Sequence, residues 1–221
     1  MSFRAWNERW ESGRIGFHET NVNGSLAAYW THVNPGQRVL VPLCGKSVDL
    51  IWLAERGHQV VGVEFVESAV AAFFAEANWR PVIETVAGGR RYSHRSITIY
   101  AADIFALDPR DVGPCDTVYD RAAVVALPTD QRSDYATAVL GLLRPTANGL
   151  VITLEYDQAQ MSGPPYAVPA NELFEIFGSS VRWTCLQRDT AALEQNPKFA
   201  ERGVARLDEI VWSMQRTPLN A

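Results

Sequence analysis

Cysteine, lysine and long apolar runs are all scarce in this chain of 221 residues. The three cysteines, Cys44, Cys115 and Cys185, form no CxxC pair, which excludes a disulfide framework and the usual spacing of a zinc site. No apolar run approaches the ~20 residues that a membrane-spanning helix needs, and the opening residues are polar and aromatic rather than an apolar signal core. We therefore expect a cytoplasmic protein that has no membrane span and binds no metal.

Positive charge comes almost entirely from arginine. Lys46 and Lys198 are the only lysines among the 20 basic residues, and the net charge is −5. An acidic chain lacks the basic face that is typical of nucleic-acid-binding proteins, so we expect no nucleic acid among its partners. We also expect a monomer that acts on a small molecule. Because arginine is so abundant, one arginine alone is a weak sign of a functional site.

Hydrophobic patterning predicts a single α/β domain over residues 1–221. An apolar content of 47% is sufficient for one core. Strands that alternate with helices indicate a mostly parallel sheet with helices on both faces, and two final strands without a strong helix between them indicate an antiparallel last strand. The predicted strands are 38–43, 58–66, 96–105, 115–122, 149–156, 181–188 and 207–216, and the predicted helices are 24–32, 47–57, 67–79, 130–143 and 169–178.

The turn after the first predicted strand, in RVLVPLCGKSVDL at 38–50, limits the ligands that the domain can bind. A triphosphate loop of the form GxxxxGK[ST] would need glycine at Leu40, which lies inside the strand. A dinucleotide fingerprint needs several glycines, and Gly45 is the only one in this stretch. One glycine still lets backbone approach a ligand, and the following helix N-terminus can meet a carboxylate.

An acidic residue at the end of the second predicted strand indicates that the ligand contains a nucleoside. Glu64 follows Gly45 by 19 positions, where a doubly wound fold places an acid that accepts both ribose hydroxyls. Glu64 could instead be only a solvated strand end, but Phe65 follows it and a strand, turn and helix precede it, which favours the ribose role. A nucleoside that carries a carboxylate and no phosphate describes S-adenosylmethionine. Asp103, near the end of the third predicted strand, either meets the adenine amino group or caps a turn.

Aromatic residues near the N-terminus also have two interpretations. Phe3, Trp6 and Trp10 lie at helical spacing, and Phe17 follows them. Because ring faces attract cations, these side chains pack either on the sulfonium of the cofactor or in the core. The glycine-containing stretch SGRIGF at 12–17 can hinge, which favours a segment that closes over the cofactor.

Four stretches together resemble a known family: WNERWESGRIGFHE (6–19), VLVPLCGKSVDLIWLAERGHQVVGVE (39–64), YDRAAVVALP (119–128) and GPPYAVP (163–169). They are similar, nearly end to end, to bacterial thiopurine S-methyltransferases. The resemblance implies a Rossmann-like methyltransferase fold with a seven-stranded sheet at 38–216 and an N-terminal helical lid at 1–33. It also implies methylation of aromatic and heterocyclic thiols, and an association with selenium and tellurium compounds and tellurite resistance.

The resemblance also assigns site residues by position. The cofactor contacts of the family would fall on Trp10, Leu43, Glu64, Ile104 and Arg121, with Trp6 and Phe17 nearby. A second pocket arginine of the family would fall on Arg202, and Arg206 is the alternative because the alignment is looser there. Gly45 and Asp103 join the predicted S-adenosylmethionine site from the reasoning above.

Methyl transfer from a sulfonium needs orientation and a dry site more than it needs a strong base. Arginine cannot act as a base at neutral pH, so Arg121 and Arg202 are predicted to hold the anionic sulfur or a ring nitrogen. His18 either relays a proton or forms a structural hydrogen bond. Two alternatives remain open: a non-catalytic protein that binds S-adenosylmethionine, and an NAD-type oxidoreductase, which the missing second glycine disfavours.

Overall fold

The computed structural model describes Glu8 and residues 19–217 of the chain. The predicted helix around Phe3, Trp6 and Trp10 lies outside the described residues. Within them, one sheet holds nine strands. The strands are β1 Arg38–Pro42, β2 Gln59–Glu64, β3 Val82–Val86, β4 Gly89–His94, β5 Ile97–Ala102, β6 Cys115–Asp120, β7 Leu143–Glu155, β8 Val181–Asp189 and β9 Asp208–Arg216.

The order of the strands across the sheet is β3-β4-β5-β2-β1-β6-β7-β9-β8. The five central strands, from β5 to β7, pair in parallel. Strands β4 and β9 pair antiparallel to their neighbours, so they alone run against the other strands of this sheet. The mostly parallel sheet and the antiparallel last strand are therefore both confirmed.

The predicted number of seven strands is wrong, because the sheet has two more. All seven predicted strands are present, and the additional pair is the hairpin β3–β4, which adds to the free edge of β5. Strand β3 is exposed at four of its five positions, so it shows none of the alternation that marks a half-buried strand. Its pairing depends on β4 and β5 rather than on its own sequence.

The helices cover both faces of the sheet, as predicted. Helices α1, α2 and α3 pack on one face in the cluster around Leu50 and Phe74, while α4, α5 and α6 pack on the other around Tyr135 and Leu173. None of the helices in the described ranges is both long and apolar enough to span a bilayer. The helices are α1 Gly24–Tyr29, α2 Asp49–Glu55, α3 Glu67–Glu76, α4 Pro109–Val112, α5 Thr129–Leu142, α6 Ala170–Phe177, α7 Ala192–Gln195 and α8 Pro197–Glu201, with 3₁₀ turns at Trp30–His32, Val124–Ala126 and Gln158–Gln160.

The connectivity places a crevice at the carboxyl ends of β1 and β6. From β1 the chain moves towards β2 and β5 on one side, whereas β6 and β7 lie on the other side. Ligands of doubly wound folds bind outside the carboxyl ends of the strands at such a switch point. The connection from β8 returns to the same edge, because Asp208 at the start of β9 pairs with Glu155 at the end of β7. That connection carries the short helices α7 and α8, where no strong helix was predicted.

Candidate active site

The turn after β1 has an unusual backbone. Leu43 and Gly45 both have positive φ, of 48° and 54°. This left-handed region suits glycine but is disfavoured for leucine, and such residues tend to persist at functional sites. The amide of Cys44 donates to the carbonyl of Val63 in β2, at 3.1 Å, which holds the turn against the neighbouring strand.

The Glu64 carboxylate stabilises this turn through hydrogen bonds with backbone N–H groups. Its Oε2 accepts a hydrogen bond from the backbone N–H of Gly45 at 2.8 Å, and its Oε1 accepts one from Val66 at 2.8 Å. The side chain is 7% exposed, so it is not a solvated strand end. Burial raises the pKa of the Glu64 carboxyl, while the surrounding backbone N–H groups oppose that rise. A carboxylate has about four lone-pair sites, so it can accept further donors, and the ribose role stays a prediction.

Gly62 lets the turn pack directly on β2. A Cβ at this position would lie 2.8 Å from Cys44 Sγ and 3.1 Å from Ile99 Cγ1. We expect Gly62→Ala to lower the free energy of unfolding by about 1–3 kcal/mol, because overpacking a filled core forces side chains or backbone to shift. Urea unfolding measures the change. Gly24→Ala is the control, since a Cβ there meets nothing within 4 Å. Equal stability of the two variants would contradict the packing argument.

The second wall of the crevice is the end of β6. Arg121 follows this strand, and its guanidinium forms an ion pair with the carboxylate of Glu19. Ala122 has a φ of 61°, a left-handed conformation in a residue that is not glycine. A pocket with a volume of about 20 Å³ lies between this wall and the β1 turn, and it is bounded by Leu43, Gly45 and Arg121. Glu19 also lines this pocket, so both members of the ion pair border it.

A buried network joins the pocket to the start of α1. Asp49, which is 2% exposed, accepts hydrogen bonds from the Tyr119 hydroxyl and from the backbone N–H of Asn23, both at 2.9 Å. The Asn23 side chain in turn caps α1 by accepting from Leu26 N–H. This network anchors the chain where the N-terminal segment joins the core. Sequence reasoning missed it, because its members come from three distant parts of the chain.

The loop after β5 contains the residues predicted to meet adenine. Asp103 Oδ1 accepts a hydrogen bond from Phe105 N–H at 3.0 Å, so the interpretation of Asp103 as a turn cap is confirmed. Ile104 is 5% exposed and packs in the core, whereas Phe105 is 44% exposed at the edge. The adenine contacts of Asp103 and Ile104 stay predictions.

The two candidate arginines near the C-terminus have different surroundings. Arg202 Nη1 donates to the carbonyl of Pro164 at 3.3 Å, in the loop that carries GPPY. Arg206 donates from Nε and Nη2 to the two carboxylate oxygens of Asp208, at 3.0 and 2.9 Å. The loop at 163–166 contacts the 3₁₀ turn after β6, because Tyr166 N–H donates to the carbonyl of Val125 at 2.6 Å. The guanidinium of Arg202 is thus beside the 163–166 loop, while that of Arg206 is bound to Asp208.

The remaining predicted residues lie outside the described part of the chain. Trp6, Trp10, Phe17 and His18 are the residues concerned, so their roles stay predictions. Among residues 19–217 and Glu8 there is no group of three or more His, Cys, Asp or Glu side chains that could hold a metal ion.

The sheet order and the helices on both faces form a Rossmann-like fold that solved methyltransferases share. The structural match covers 97% of this chain and 87% of 1,6-didemethyltoxoflavin-N1-methyltransferase from Burkholderia thailandensis, with a TM-score of 0.65 and 18% identity. A second match covers 97% of this chain and 97% of magnesium protoporphyrin IX methyltransferase from Synechocystis, with a TM-score of 0.64 and 15% identity. At such low identity these similarities establish the fold alone.

The chain belongs to the thiopurine S-methyltransferase family. The sequence profile of that family matches residues 1–217. A thiopurine S-methyltransferase of Bordetella petrii is 45% identical over 218 residues, which cover 98% of this chain and 99% of the relative. One from Pseudomonas syringae pv. syringae is 42% identical over 214 residues, 96% of each chain. The protein is accordingly an S-adenosylmethionine-dependent S-methyltransferase.

Proposed function

We propose that this protein transfers the methyl group of S-adenosylmethionine to the sulfur of aromatic and heterocyclic thiols, thiopurines among them. The observation that supports the proposal most strongly is the crevice between the β1 turn and Arg121, because Gly45 and Arg121 line one narrow pocket and the buried Glu64 carboxylate accepts from the N–H of Gly45. This carboxylate and the Arg121 guanidinium suit a ligand with ribose hydroxyls at one end and a carboxylate at the other.

In this proposal the cofactor lies across the ends of β5, β2, β1 and β6. Glu64 accepts the ribose hydroxyls, Leu43 and Gly45 lie against the nucleoside, and Asp103 and Ile104 approach the adenine. Arg121 binds the carboxylate of the methionine moiety after Glu19 releases it. Trp6, Trp10 and Phe17 cover the sulfonium, where aromatic rings stabilise positive charge.

The chemical step is an in-line displacement. A lone pair on the thiolate sulfur forms the new S–CH₃ bond while the bond from the methyl carbon to the sulfonium breaks, and S-adenosylhomocysteine leaves as a neutral thioether. A guanidinium near the acceptor favours the thiolate over the thiol and lowers the pKa of that thiol. We assign the stabilisation of the thiolate to Arg202. Arg121 is assigned the same role at the point where the thiol meets the cofactor. Orientation of the partners supplies most of the remaining acceleration.

Transfer of a radiolabelled methyl group to a panel of aryl thiols tests the proposal. Product is expected with acidic heteroaromatic thiols in the presence of S-adenosylmethionine. Calorimetry with S-adenosylmethionine, S-adenosylhomocysteine and NAD runs alongside. Cofactor binding without transfer to any thiol would favour the non-catalytic alternative, and binding of NAD alone would favour an oxidoreductase.

We extend the proposal to selenium and tellurium compounds, which the family resemblance implies. Selenolates are soft anions that are ionised at neutral pH, so the cationic groups assigned to the thiolate suit them equally. The panel therefore includes an aryl selenol and an aryl tellurol. We also propose that the protein acts in the cytoplasm and is a monomer. Size-exclusion chromatography of the purified protein tests the oligomeric state.

We expect the N-terminal segment, within the proposed 1–33 lid, to become ordered over the bound cofactor. The described part of this segment already contacts the crevice through Glu19 and Arg121, and a closed lid excludes water and strengthens the electrostatic contacts beneath it. Hydrogen exchange is expected to slow across residues 3–20 when S-adenosylhomocysteine binds. The distant hairpin at 82–94 serves as the internal control, and equal exchange of residues 3–20 with and without ligand would rule out a lid.

A further inference from the structure

Asp120 is a buried carboxylate at the edge of the site that none of the assigned steps uses. It is the last residue of β6 and is 1% exposed. Its Oδ1 accepts a hydrogen bond from Val124 N–H at 3.1 Å, and its Oδ2 accepts one from the Tyr135 hydroxyl of α5 at 2.7 Å. Each oxygen therefore accepts one hydrogen bond from the protein, which ties the carboxylate to the turn after β6 and to α5.

Keeping Asp120 ionised in the folded protein lowers the free energy of unfolding. Burial raises the pKa of Asp120 to about 6, although the Tyr135 hydroxyl and the backbone N–H groups of Val124 and Ala123 act in the opposite direction. Above that pH the native state holds a buried charge that the unfolded chain would solvate, so stability contributed by this group is lost as the pH rises through about 6. Buried ionised groups that reduce stability cluster at functional sites.

Asp120 holds the turn that follows β6 and carries Arg121. The residues between Asp120 and Val124 include Arg121 and the left-handed Ala122, whose φ is 61°. A non-glycine residue stays in this region only when surrounding contacts determine it. The bond from Asp120 Oδ1 to Val124 N–H closes the turn at its far end.

The same turn supports the loop beneath Arg202. The carbonyl of Val125 accepts a hydrogen bond from Tyr166 N–H at 2.6 Å, and the carbonyl of Pro164 accepts one from Arg202 Nη1 at 3.3 Å. A continuous set of contacts thus joins Asp120 to the surroundings of both arginines. Displacing the turn would disturb Arg121 directly and the 163–166 loop through Val125.

We propose that Asp120 is a positioning residue for methyl transfer: its buried carboxylate fixes the turn from Arg121 to Val125 and so orients both Arg121 and the loop that carries Arg202. This inference rests on the roles proposed above for the two arginines. Within the part of the chain that the structure describes, the one titratable side chain that acts on Asp120 is Tyr135, from α5, and the other contributions come from burial and from backbone amides of the turn.

The test compares Asp120→Asn, Tyr135→Phe and Asp116→Asn. Asp116 is the matched control, because it lies on the same strand at the opposite edge, where it accepts from Arg38 N–H and Arg144 Nε. Rates are measured over a pH series with an aryl thiol that is ionised throughout, so that substrate protonation does not contribute. Thermal unfolding of each variant is followed in parallel.

For Asp120→Asn we expect kcat/KM to fall about tenfold, because charge-assisted hydrogen bonds are lost, while Tm stays equal or rises. The wild type should lose activity as the pH falls through about 6, and Asp120→Asn should lack that acid limb. Tyr135→Phe removes a donor that stabilises the charged form, so its acid limb should move to higher pH. Asp116→Asn should keep the wild-type profile.

Two results would overturn the inference: wild-type kcat/KM in Asp120→Asn, or an acid limb that is the same in all four proteins. The proposed function fails in a different way, through absence of methyl transfer by the wild type or wild-type rates in both Arg121→Ala and Arg202→Ala. Full activity of Asp120→Asn beside a strong loss in Arg121→Ala would leave the proposed function intact and remove only the positioning role.

Discussion

Replacing Glu64 by alanine is expected to weaken the binding of S-adenosylmethionine by at least about tenfold. In the proposed complex the carboxylate accepts two ribose hydroxyls, and hydrogen bonds to charged groups contribute roughly 1.5–3 kcal/mol each. Each 1.4 kcal/mol corresponds to about a factor of ten in affinity. The substitution also removes the acceptor for Gly45 N–H and Val66 N–H, so the turn after β1 should loosen as well. Calorimetry with the cofactor measures the change.

The control for this experiment lies three residues further along. Glu67 is the first residue of α3, and its Oε1 accepts from Arg90 and from the Tyr92 hydroxyl in the hairpin β3–β4. Glu67→Ala should leave cofactor affinity unchanged. Glu64→Gln should be intermediate, because an amide keeps one acceptor oxygen. Less than a twofold change in folded Glu64→Ala would mean that Glu64 only supports the turn.

The second large effect concerns the substrate. We expect Arg202→Ala to lower kcat/KM and to move the pH–rate profile to higher pH, with cofactor affinity nearly unchanged. A guanidinium beside a thiol favours its ionised form, so the loss should be greatest at a pH where the free thiol is protonated. Arg202→Lys should restore part of the rate, since it keeps the charge but not the planar fork. Arg121→Ala should affect both ligands.

Arg206→Ala is the matched control, because Arg206 lies in the same connection and its guanidinium is held by Asp208. It should keep the wild-type pH profile. A pH series on each variant with one aryl thiol of known acidity makes the comparison. A uniform loss at every pH in Arg202→Ala would mean that this residue only shapes the pocket. An unaffected rate there, with a loss in Arg206→Ala, would exchange the two assignments.

The strands and helices near the site could be predicted because each carries its own signal. β1 and β2 are short, largely apolar runs, and the helices after them show an apolar face, so the position of Glu64 near Gly45 followed from the order of elements. The hydrogen-bond partners of Glu64 could not be predicted, because they are backbone N–H groups, which every residue except proline has. Its dual use as a support for the turn appears only in the structure.

Other parts of the site depend on contacts between distant residues. Asp49, Tyr119 and Asn23 form one network, and no spacing within the chain marks them as neighbours. Asp120 was visible as an acid at a strand end, but its partner Tyr135 lies on a helix that packs beneath the strand. The hairpin β3–β4 was missed for a related reason, because pairing with the edge of β5 stabilises it more than its own pattern does.

That hairpin also leaves an open strand at one edge of the sheet. Its outer strand β3 is an edge of the sheet formed by the described strands, with Val82 and Ile83 exposed at 63% and 52%. Open edges of β-branched residues are templates for pairing with another chain, and natural sheets protect them with charge. Here Glu84 supplies charge in the middle of the strand, where it pairs with Arg91 at 2.6 Å. We therefore expect that a variant that neutralises Glu84, far from the chemistry, gains a surface suited to edge-to-edge aggregation.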